Sequence, residues 1–258
     1  MRVLIVDDNL SMRKVLAALF ASVGHEVVAT LADGNGIEES IRQTAPDLVC
    51  LDYQMPGRDG LTILKIIQAE MPHIDVVFMT ASSESDVEER AADAGASGFI
   101  RKPFSQAQII DELRAVEETR KAVNRAAAPS PGAAKAGRRG TAVVADDNGS
   151  VRLVLKSLLE ECGLSVVQSV ATGGEAILAA KNHQPRVLCL DINMPVMGGL
   201  AALPQIVEAS PQTSVIMITG CTDKMLVAQS AGLGAVGYII KPLRPAYVEN
   251  FIRKLLGA

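Results

Sequence analysis

Tryptophan is absent from this sequence of 258 residues, aromatic residues make up only 3% of it, and long hydrophobic runs are missing. No stretch approaches the roughly 20 apolar residues that are needed to span a bilayer. The first residues, Met1 to Val6, pass directly into a strand pattern, so a signal peptide is not expected. The net charge of −4 offers no general attraction to nucleic acid or to anionic membranes. We therefore expect a cytoplasmic protein that binds neither nucleic acid nor membranes.

Cysteine is also scarce, with four residues in the whole chain. No Cys-x-x-Cys pair and no cluster of cysteine with histidine is present in the sequence, so the common zinc-binding spacings are excluded. Cys50 and Cys189 lie inside apolar runs, where a thiol usually behaves as a small buried hydrophobic group. Neither a disulfide framework nor a thiolate metal site is expected.

The main feature that the sequence does contain is an ungapped internal repeat. The apolar run Leu48 to Leu51 ends at Asp52, and the run Val187 to Leu190 ends at Asp191. The same offset carries Asp7-Asp8-Asn9 onto Asp146-Asp147-Asn148, Thr80 onto Thr219, and Lys102-Pro103 onto Lys241-Pro242. Because polar residues inside an apolar frame recur together, the repeat indicates a duplicated site.

The repeat also predicts the domain organisation. We expect one domain over residues 1–121, a second over 141–258, and a flexible Ala/Pro/Gly-rich linker over 122–140. Each half alternates short β-rich runs with segments of helical period. Five such βα units predict an α/β domain with a doubly wound parallel sheet that is covered by helices on both faces.

Two helices of the first half carry further expectations. The first helix is predicted from Ser11 to Val23, with a buried face formed by Met12, Val15, Leu16 and Leu19. The last helix of this half continues beyond its counterpart in the repeat, through Leu113, Val116, Arg120 and Val123. This extension could contact a second copy or the other domain, or it could be a solvated spacer that leads to the linker.

Polar residues follow the carboxyl ends of the predicted strands, namely Asp7, Asp8, Asp52, Thr80 and Lys102. In a doubly wound sheet the ligand site lies beyond these ends, so the five side chains should converge. Three carboxylates in one pocket repel and raise each other's pKa values unless cations are present. Lys102 supplies one positive charge, and a hard divalent ion with oxygen ligands would balance the remainder. The sequence therefore predicts a Mg²⁺ site.

Such a site suits phosphoryl chemistry. A Mg²⁺ ion bound by a few carboxylates keeps positions open for phosphoryl oxygens. Asp52, ionised at neutral pH, can attack phosphorus and form an aspartyl phosphate. Lys102, the Thr80 hydroxyl and backbone N–H groups can neutralise and orient the transferred group. The same chemistry is predicted for the second set, Asp191 with Asp146, Asp147, Thr219 and Lys241.

Both halves resemble the response-regulator receiver domains of two-component signalling, in particular the chemotaxis-regulator type. The family's features are an acidic pair after the first strand, a phosphoaccepting Asp after the third, Ser/Thr after the fourth and Lys-Pro after the fifth. All of them occur twice, and the resemblance covers residues 2–121 and 141–257. It implies two flavodoxin-like (βα)5 domains with strand order 2-1-3-4-5.

The resemblance also implies roles for individual residues. Asp8 and Asp147 would bind the metal directly, as would Asp52 and Asp191. Asp7 and Asp146 would act mainly through metal-bound water, and the backbone carbonyls of Gln54 and Asn193 would complete the coordination sphere. Phe99 and Tyr238 match the family's switch aromatic, although both could be ordinary packing residues.

The resemblance implies a phosphoacceptor rather than a turnover enzyme. Phosphoryl groups would come from a histidine kinase or a histidine phosphotransfer protein. The phosphorylated form would bind a downstream protein through the face of the fourth helix, fifth strand and fifth helix. On this face of the second half, Met225 or Leu226 is expected to contact a partner, the other receiver or a second copy in a homodimer. Nothing in the sequence after the second half reads as an output domain.

Two other functions remain open from the sequence. One receiver could act as a phosphorelay intermediate or phosphate sink, which the same residues would serve equally well. An enzyme on a similar sheet is the other alternative. A flavodoxin-type flavoprotein is disfavoured by the lack of tryptophan and by an acidic pair where a phosphate cradle would be needed. An aspartyl phosphatase would place Asp-x-Asp after one strand, and that spacing is absent.

Overall fold

The computed structural model describes residues 1–81, 85–127, 139–220 and 224–257. The chain forms two compact units, Met1–Glu117 and Glu118–Ala258. Most of the predicted linker lies outside the described residues, and so does Cys221. The domain limits proposed from the sequence therefore stay a prediction.

The first unit alternates strands and helices along the chain, and its last helix continues past Glu117 into the residues of the second unit. Its elements are β1 (Arg2–Val6), α1 (Leu10–Ser22), β2 (Glu26–Leu31), α2 (Ile37–Thr44), β3 (Leu48–Asp52), α3 (Gly60–Glu70), β4 (Asp75–Thr80), α4 (Ser85–Asp93), β5 (Gly98–Arg101) and α5 (Gln106–Ala127). The five strands are parallel and lie in the order β2-β1-β3-β4-β5. The order reverses between β1 and β3, which places a crevice beyond the carboxyl ends of these two strands.

The second unit repeats this plan. Its elements are β6 (Thr141–Ala145), α6 (Gly149–Glu161), β7 (Ser165–Val170), α7 (Gly173–His183), β8 (Val187–Asp191), α8 (Gly199–Ala209), β9 (Ser214–Thr219), α9 (Lys224–Gly232), β10 (Gly237–Ile240) and α10 (Pro245–Leu255). Its parallel sheet has the order β10-β9-β8-β6-β7, which is the same topology. The predicted fold class and strand order are confirmed.

The central strands owe their position to their composition. Every residue of β3 and β8 is buried, including the terminal Asp52 and Asp191. Strands that are apolar on both faces need helices on both sides, and the buried residues of each unit accordingly form one cluster on each face of its sheet. Cys50 and Cys189 are buried in these strands, as the sequence predicted, and burial raises the pKa of the Cys189 thiol to about 12.

Helix α1 spans Leu10–Ser22 rather than the predicted Ser11 to Val23, and one side chain of its predicted face differs in burial. Leu16, Leu19 and Phe20 are buried, whereas Val15 is 55% exposed. Successive residues of an α-helix lie about 100° apart around the axis, so Val15 falls at the edge of the stripe that Leu16 and Phe20 define. The expectation that Val15 faces the core is therefore wrong.

The extension of α5 is a helix, as the sequence predicted. This element has 22 residues, whereas α10 has 11. None of the helices in the described ranges is long and apolar enough to cross a membrane.

Candidate functional site

The carboxyl ends of four neighbouring strands bring the first set of polar residues together. Asp7 follows β1, Asp52 ends β3, Thr80 ends β4 and Lys102 follows β5. Because parallel strands end at the same edge, these residues share one end of the sheet. Carboxylate oxygens of Asp7, Asp8 and Asp52 all lie within 4.8 Å of one another.

A glycine allows the chain to turn directly beneath the central carboxylate. Gly60 opens α3 and donates its backbone N–H to the Tyr53 carbonyl. A Cβ atom at Gly60 would collide with the backbone carbonyl of Asp52. Gly199 occupies the same place beside Asp191, with the same collision. Both loops therefore need a residue without a side chain where the third helix of the unit begins.

Lys102 bridges two carboxylates of the first site. Its Nζ atom lies 2.8 Å from Asp7 Oδ2 and 2.8 Å from Asp52 Oδ2. The cis peptide bond between Lys102 and Pro103 follows β5 directly. One ammonium group faces three carboxylates, so the cluster keeps a net negative charge when all four groups are ionised.

Burial controls the electrostatics of this site. Asp7 and Thr80 are fully buried, Asp52 is 4% exposed and Asp8 is exposed. Burial raises the pKa of Asp52, the charges of Asp7 and Asp8 raise it further, and Lys102 opposes both effects. The sequence predicted this direction from the neighbouring carboxylates, but burial is the larger cause. For Lys102, burial works to lower the pKa, and the contacts with Asp52 and Asp7 outweigh it, so its pKa is raised.

The second site has the same arrangement. Lys241 Nζ lies 3.0 Å from Asp146 Oδ2 and 3.0 Å from Asp191 Oδ1. Oxygens of Asp146, Asp147 and Asp191 again lie within 4.8 Å of one another. Burial raises the pKa of Asp146, and Lys241 works against that shift. Thr219 ends β9 and is buried, as Thr80 is at the end of β4.

The donor set of both sites fits a hard divalent cation. All three ligand candidates in each cluster are carboxylates, and one of them is exposed, which leaves a route for solvent and ligand. Oxygen donors and uncompensated negative charge are what Mg²⁺ requires. Gln54 and Asn193 are exposed in the loops that follow Asp52 and Asp191. A metal role for their backbone carbonyls stays a prediction.

The two predicted switch aromatics have different surroundings. Phe99, in β5, is half-buried, and its ring lies edge-on to Phe78 with centroids 6.4 Å apart. The backbone N–H of Phe99 donates to Glu112 Oε1 at 2.7 Å. Tyr238, in β10, is 36% exposed.

Sequence reasoning missed a pair of arginines beside the acidic residues. Arg13 Nη1 donates to the backbone carbonyls of Asp7 and Asp8, and Arg152 makes the equivalent contacts in the second unit. The repeat offset that pairs the acidic residues also pairs Arg13 with Arg152. That recurrence was the available signal.

Comparison with known proteins extends these observations. The family model of the response regulator receiver domain matches residues 3–114 and 142–253. The transcriptional regulatory protein PdtaR of Mycobacterium tuberculosis is 38% identical over 112 residues, which are 43% of this chain and 54% of PdtaR. The chemotaxis protein CheY of Thermotoga maritima is 32% identical over 117 residues, which are 45% of this chain and 98% of CheY. The chain thus spans about half the length of PdtaR.

Among solved structures, the chain is similar to the crystal structure of a CheX–CheY complex with beryllofluoride and magnesium from Borrelia burgdorferi. The identity is 30% and the TM-score 0.43, and the match covers 45% of this chain and 87% of that one.

Proposed function

The chain belongs to the response regulator receiver domain family in both of its halves, and we propose that it accepts phosphoryl groups on Asp52 and Asp191 to switch its protein contacts. Membership of this family in both halves makes the chain a two-component response regulator with two receivers. We place the receivers at residues 1–121 and 141–258, with a linker at 122–140. The observation that carries the proposal is that each unit gathers three carboxylates, a buried threonine and a lysine at one sheet edge.

Each site would bind Mg²⁺ through its carboxylates. In the first receiver Asp8 and Asp52 would bind the ion directly, Asp7 through water, and Gln54 through its backbone carbonyl. In the second receiver the corresponding residues are Asp147, Asp191, Asp146 and Asn193. When bound, the ion would supply charge neutralisation for phosphoryl oxygens.

The transfer itself needs an ionised nucleophile at the sheet edge. An Asp52 carboxylate oxygen attacks the phosphorus of a phosphohistidine, on a histidine kinase or a phosphotransfer protein. A P–O bond to Asp52 forms, the P–N bond breaks, and the leaving imidazole nitrogen keeps the electron pair. Lys102, 2.8 Å from Asp52, stabilises the added charge, and the Thr80 hydroxyl donates to a phosphoryl oxygen. Asp191, Lys241 and Thr219 act in the same way in the second receiver.

This reaction defines a phosphoacceptor rather than a turnover enzyme, because the product stays attached to the chain. Its test is phosphate-affinity electrophoresis of the wild type, Asp52→Asn, Asp191→Asn and the double variant. Each is incubated with acetyl phosphate, with and without Mg²⁺. We expect two phosphoryl groups on the wild type, one on each single variant and none on the double variant or without Mg²⁺. A single variant that takes up no phosphoryl group would identify the remaining half as a receiver-shaped scaffold.

Output would pass through the face formed by the fourth helix, fifth strand and fifth helix of a receiver. In the second receiver these elements carry exposed apolar side chains, namely Met225 (79% exposed), Tyr238 (36%) and Tyr247 (50%), and Val236 (50%) directly precedes β10. In the first receiver the same face carries an ion pair, with Arg101 Nη2 at 2.7 Å from Glu88 Oε1. The apolar face of the second receiver suits a protein partner, and Met can adapt to its shape.

The switch would connect the phosphoryl group to this face through Thr219 and Tyr238. A phosphoryl group on Asp191 offers acceptor oxygens to the Thr219 hydroxyl, and a shift of Thr219 toward that group would let Tyr238 become buried. NMR shifts of Tyr238 and Met225 are compared before and after adding beryllofluoride with Mg²⁺. Thr219→Val should bind the mimic but lose these shift changes, while Phe99 in the first receiver responds as in the wild type. A full response in the variant would contradict the switch.

A further inference from the structure

An arginine in the first turn of α1 contacts the backbone of the acidic pair. Arg13 Nη1 donates to the carbonyl oxygen of Asp7 at 2.6 Å and to that of Asp8 at 3.1 Å. The same short segment has an internal hydrogen bond, because the Asn9 backbone N–H donates to Asp7 Oδ1 at 2.9 Å. The Asn9 side chain in turn caps α1. The acidic pair therefore lies on a backbone that is tied to the helix at several points.

The second unit repeats this arrangement closely. Arg152, in the first turn of α6, donates from Nη1 to the carbonyls of Asp146 and Asp147 at 2.7 and 2.9 Å. The Asn148 backbone N–H donates to Asp146 Oδ1 at 2.8 Å, and the Asn148 side chain caps α6. Two separately folded sites thus use a guanidinium for the same purpose.

The position of these arginines opposes the helix dipole. A cation in the first turn of a helix meets the positive end of the macrodipole, which favours acidic residues instead. Neither α1 nor α6 has an acidic residue in its first turn to offset this cost. A gain elsewhere must balance it, and the contacts with consecutive carbonyls are what the two arginines share.

These contacts determine where the carboxylates lie. With both carbonyls directed toward the guanidinium, the peptide planes on either side of Asp8 are fixed. The side chains of Asp7 and Asp8 then extend from that backbone to within 4.8 Å of the Asp52 carboxylate. Three carboxylates this close repel one another, so a freely rotating segment would move Asp8, which is exposed, away into solvent.

We infer that Arg13 and Arg152 are positioning residues that preorganise the acidic pair of each receiver for a divalent cation. This inference rests on the proposed function, because cation binding is part of it. Outer contacts of this kind typically contribute 10- to 100-fold to metal affinity. We therefore expect Arg13→Met to weaken Mg²⁺ binding at the first site by about 10- to 100-fold.

Whether Mg²⁺ affinity falls or rises in Arg13→Met distinguishes a positioning role of the arginine from a purely electrostatic one. If Arg13 acted only as a nearby positive charge, it would repel the cation, and its removal would strengthen Mg²⁺ binding. If it acts by fixing the carbonyls of Asp7 and Asp8, its removal weakens binding even though a repulsive charge is lost. The two accounts predict opposite signs.

The experiment is a titration of the two-receiver chain with Mg²⁺ alone, followed by NMR of backbone amides. The amides of Asn9 and Asn148 report on the first and second sites separately. Arg13→Met should move the midpoint at Asn9 to about 10- to 100-fold higher Mg²⁺ and leave the midpoint at Asn148 unchanged. Arg152→Met should give the reverse pattern. Each variant thus contains its own control in the unmodified receiver.

The matched charge control is Lys14→Met, which removes the neighbouring exposed cation of α1. This variant should leave both Mg²⁺ midpoints within about twofold of the wild type. The Lys14 side chain makes no hydrogen bond or ion pair with the acidic pair in this structure. Tighter or unchanged Mg²⁺ binding in a folded Arg13→Met chain would overturn the inference. If that chain does not fold, Arg13→Lys is titrated instead, and wild-type affinity there would overturn it. Absence of any Mg²⁺ response in the wild type would refute the proposed function itself.

Discussion

The two receivers present the same polar groups in different surroundings. The side chain of Lys102 keeps 16% of its surface exposed and that of Asp52 keeps 6%, whereas Lys241 and Asp191 keep 1% each. The chemical groups are therefore duplicated, but the first site is more open to solvent. Access to the nucleophile is a property of the surroundings and can differ between sites with identical residues.

The loop after each nucleophile shows a second difference. In the first receiver Arg58 Nη2 lies 2.7 Å from Glu38 Oε1, which ties this loop to α2. The repeat places Met197 and Ile177 at these two positions, and both pack against the apolar cluster of the second receiver. An ion pair in one receiver is replaced by apolar packing in the other. The two receivers therefore differ in the kind of interaction that these positions make, although the loops follow equivalent nucleophiles.

The largest expected difference concerns the lysines. Lys241→Met leaves two buried carboxylates without their shared cation, and breaking a buried ion pair in this way costs about 3–5 kcal/mol of unfolding free energy. Lys102→Met should cost less, because water can reach the more exposed first site. Urea unfolding without Mg²⁺, followed by NMR so that each receiver reports separately, measures both losses. Equal losses, or a larger loss for Lys102→Met, would contradict the expectation that the more buried lysine contributes more to stability.

The cost of losing Lys241 should also depend on pH. Burial already raises the folded-state pKa of Asp146, and loss of the cation would raise it further. For a carboxyl group whose folded pKa is raised, the ionised form destabilises the fold above that pKa. This penalty disappears as pH falls through the folded pKa toward the unfolded value. The Lys241→Met deficit should therefore shrink as pH falls from neutrality toward the unfolded carboxyl pKa of about 4, and a deficit that grows would contradict the assignment.

An intermediate effect on unfolding free energy is expected when each receiver is given the other's residue at one position of the loop after the nucleophile. Gly57 has φ +87°, and the repeat places Val196 there with φ +67° and a fully exposed side chain. A left-handed conformation costs a residue with a Cβ about 1–2 kcal/mol, part of which is offset by the greater entropy that glycine loses on folding. Gly57→Val should destabilise the first receiver by about 1 kcal/mol, and Val196→Gly should stabilise the second by up to about 1 kcal/mol.

The control for this exchange is Val167→Gly, the same chemical change at an exposed position of strand β7. It should destabilise the second receiver, because glycine weakens a strand. Unfolding midpoints in urea measure all three variants. Destabilisation by Val196→Gly as well would mean that the side chain makes a stabilising contact after all.

The smallest effect is expected for the ion pair of the first loop. Arg58 and Glu38 have side chains that are 33% and 22% exposed, and pairs of this kind contribute about 0.2–1 kcal/mol. Arg58→Met should reduce the stability of the first receiver by that amount, and the deficit should fade in about 1 M salt, where charges are strongly screened. Lys65→Met, which removes an exposed cation from α3, is the control and should show neither effect. A deficit that is independent of salt would point to packing by the arginine stem.

The parallel sheet and most of the site residues could be predicted, because the ends of the strands are marked in the sequence by apolar runs that stop at polar residues. A short apolar run that stops at Asp52 and is followed by Pro56 favours a buried strand with a carboxylate at the sheet edge, and topology then brings in Asp7, Thr80 and Lys102. The internal repeat allowed the same inference for the second half, with Asp191, Asp146, Thr219 and Lys241. The gathering of these residues follows from backbone architecture, which sequence patterns describe well.

Contacts that depend on loop geometry were not predictable in the same way. Arg13 was overlooked despite its recurrence as Arg152, since nothing in the sequence shows that two carbonyls point toward it. The burial of Val15 was predicted wrongly because this residue lies at the edge of the apolar stripe of α1. A small rotation of the helix about its axis decides whether such an edge is buried against the sheet. Lys102 and Lys241 differ in exposure because the residues that pack around the two sites differ. The motif residues are identical, so the motif alone could not predict this difference.

We propose that both sites accept phosphoryl groups, and because the first site is more open to solvent and to a phosphoryl donor, we expect it to react faster. A time course of phosphorylation by acetyl phosphate and Mg²⁺, read from the intact mass of the Asp191→Asn and Asp52→Asn chains, tests it most directly. Each chain should gain one phosphoryl group, and the Asp191→Asn chain, in which only Asp52 can react, should gain it faster. Equal or reversed rates would contradict the role of site burial, and a chain that gains none would contradict the duplicated site.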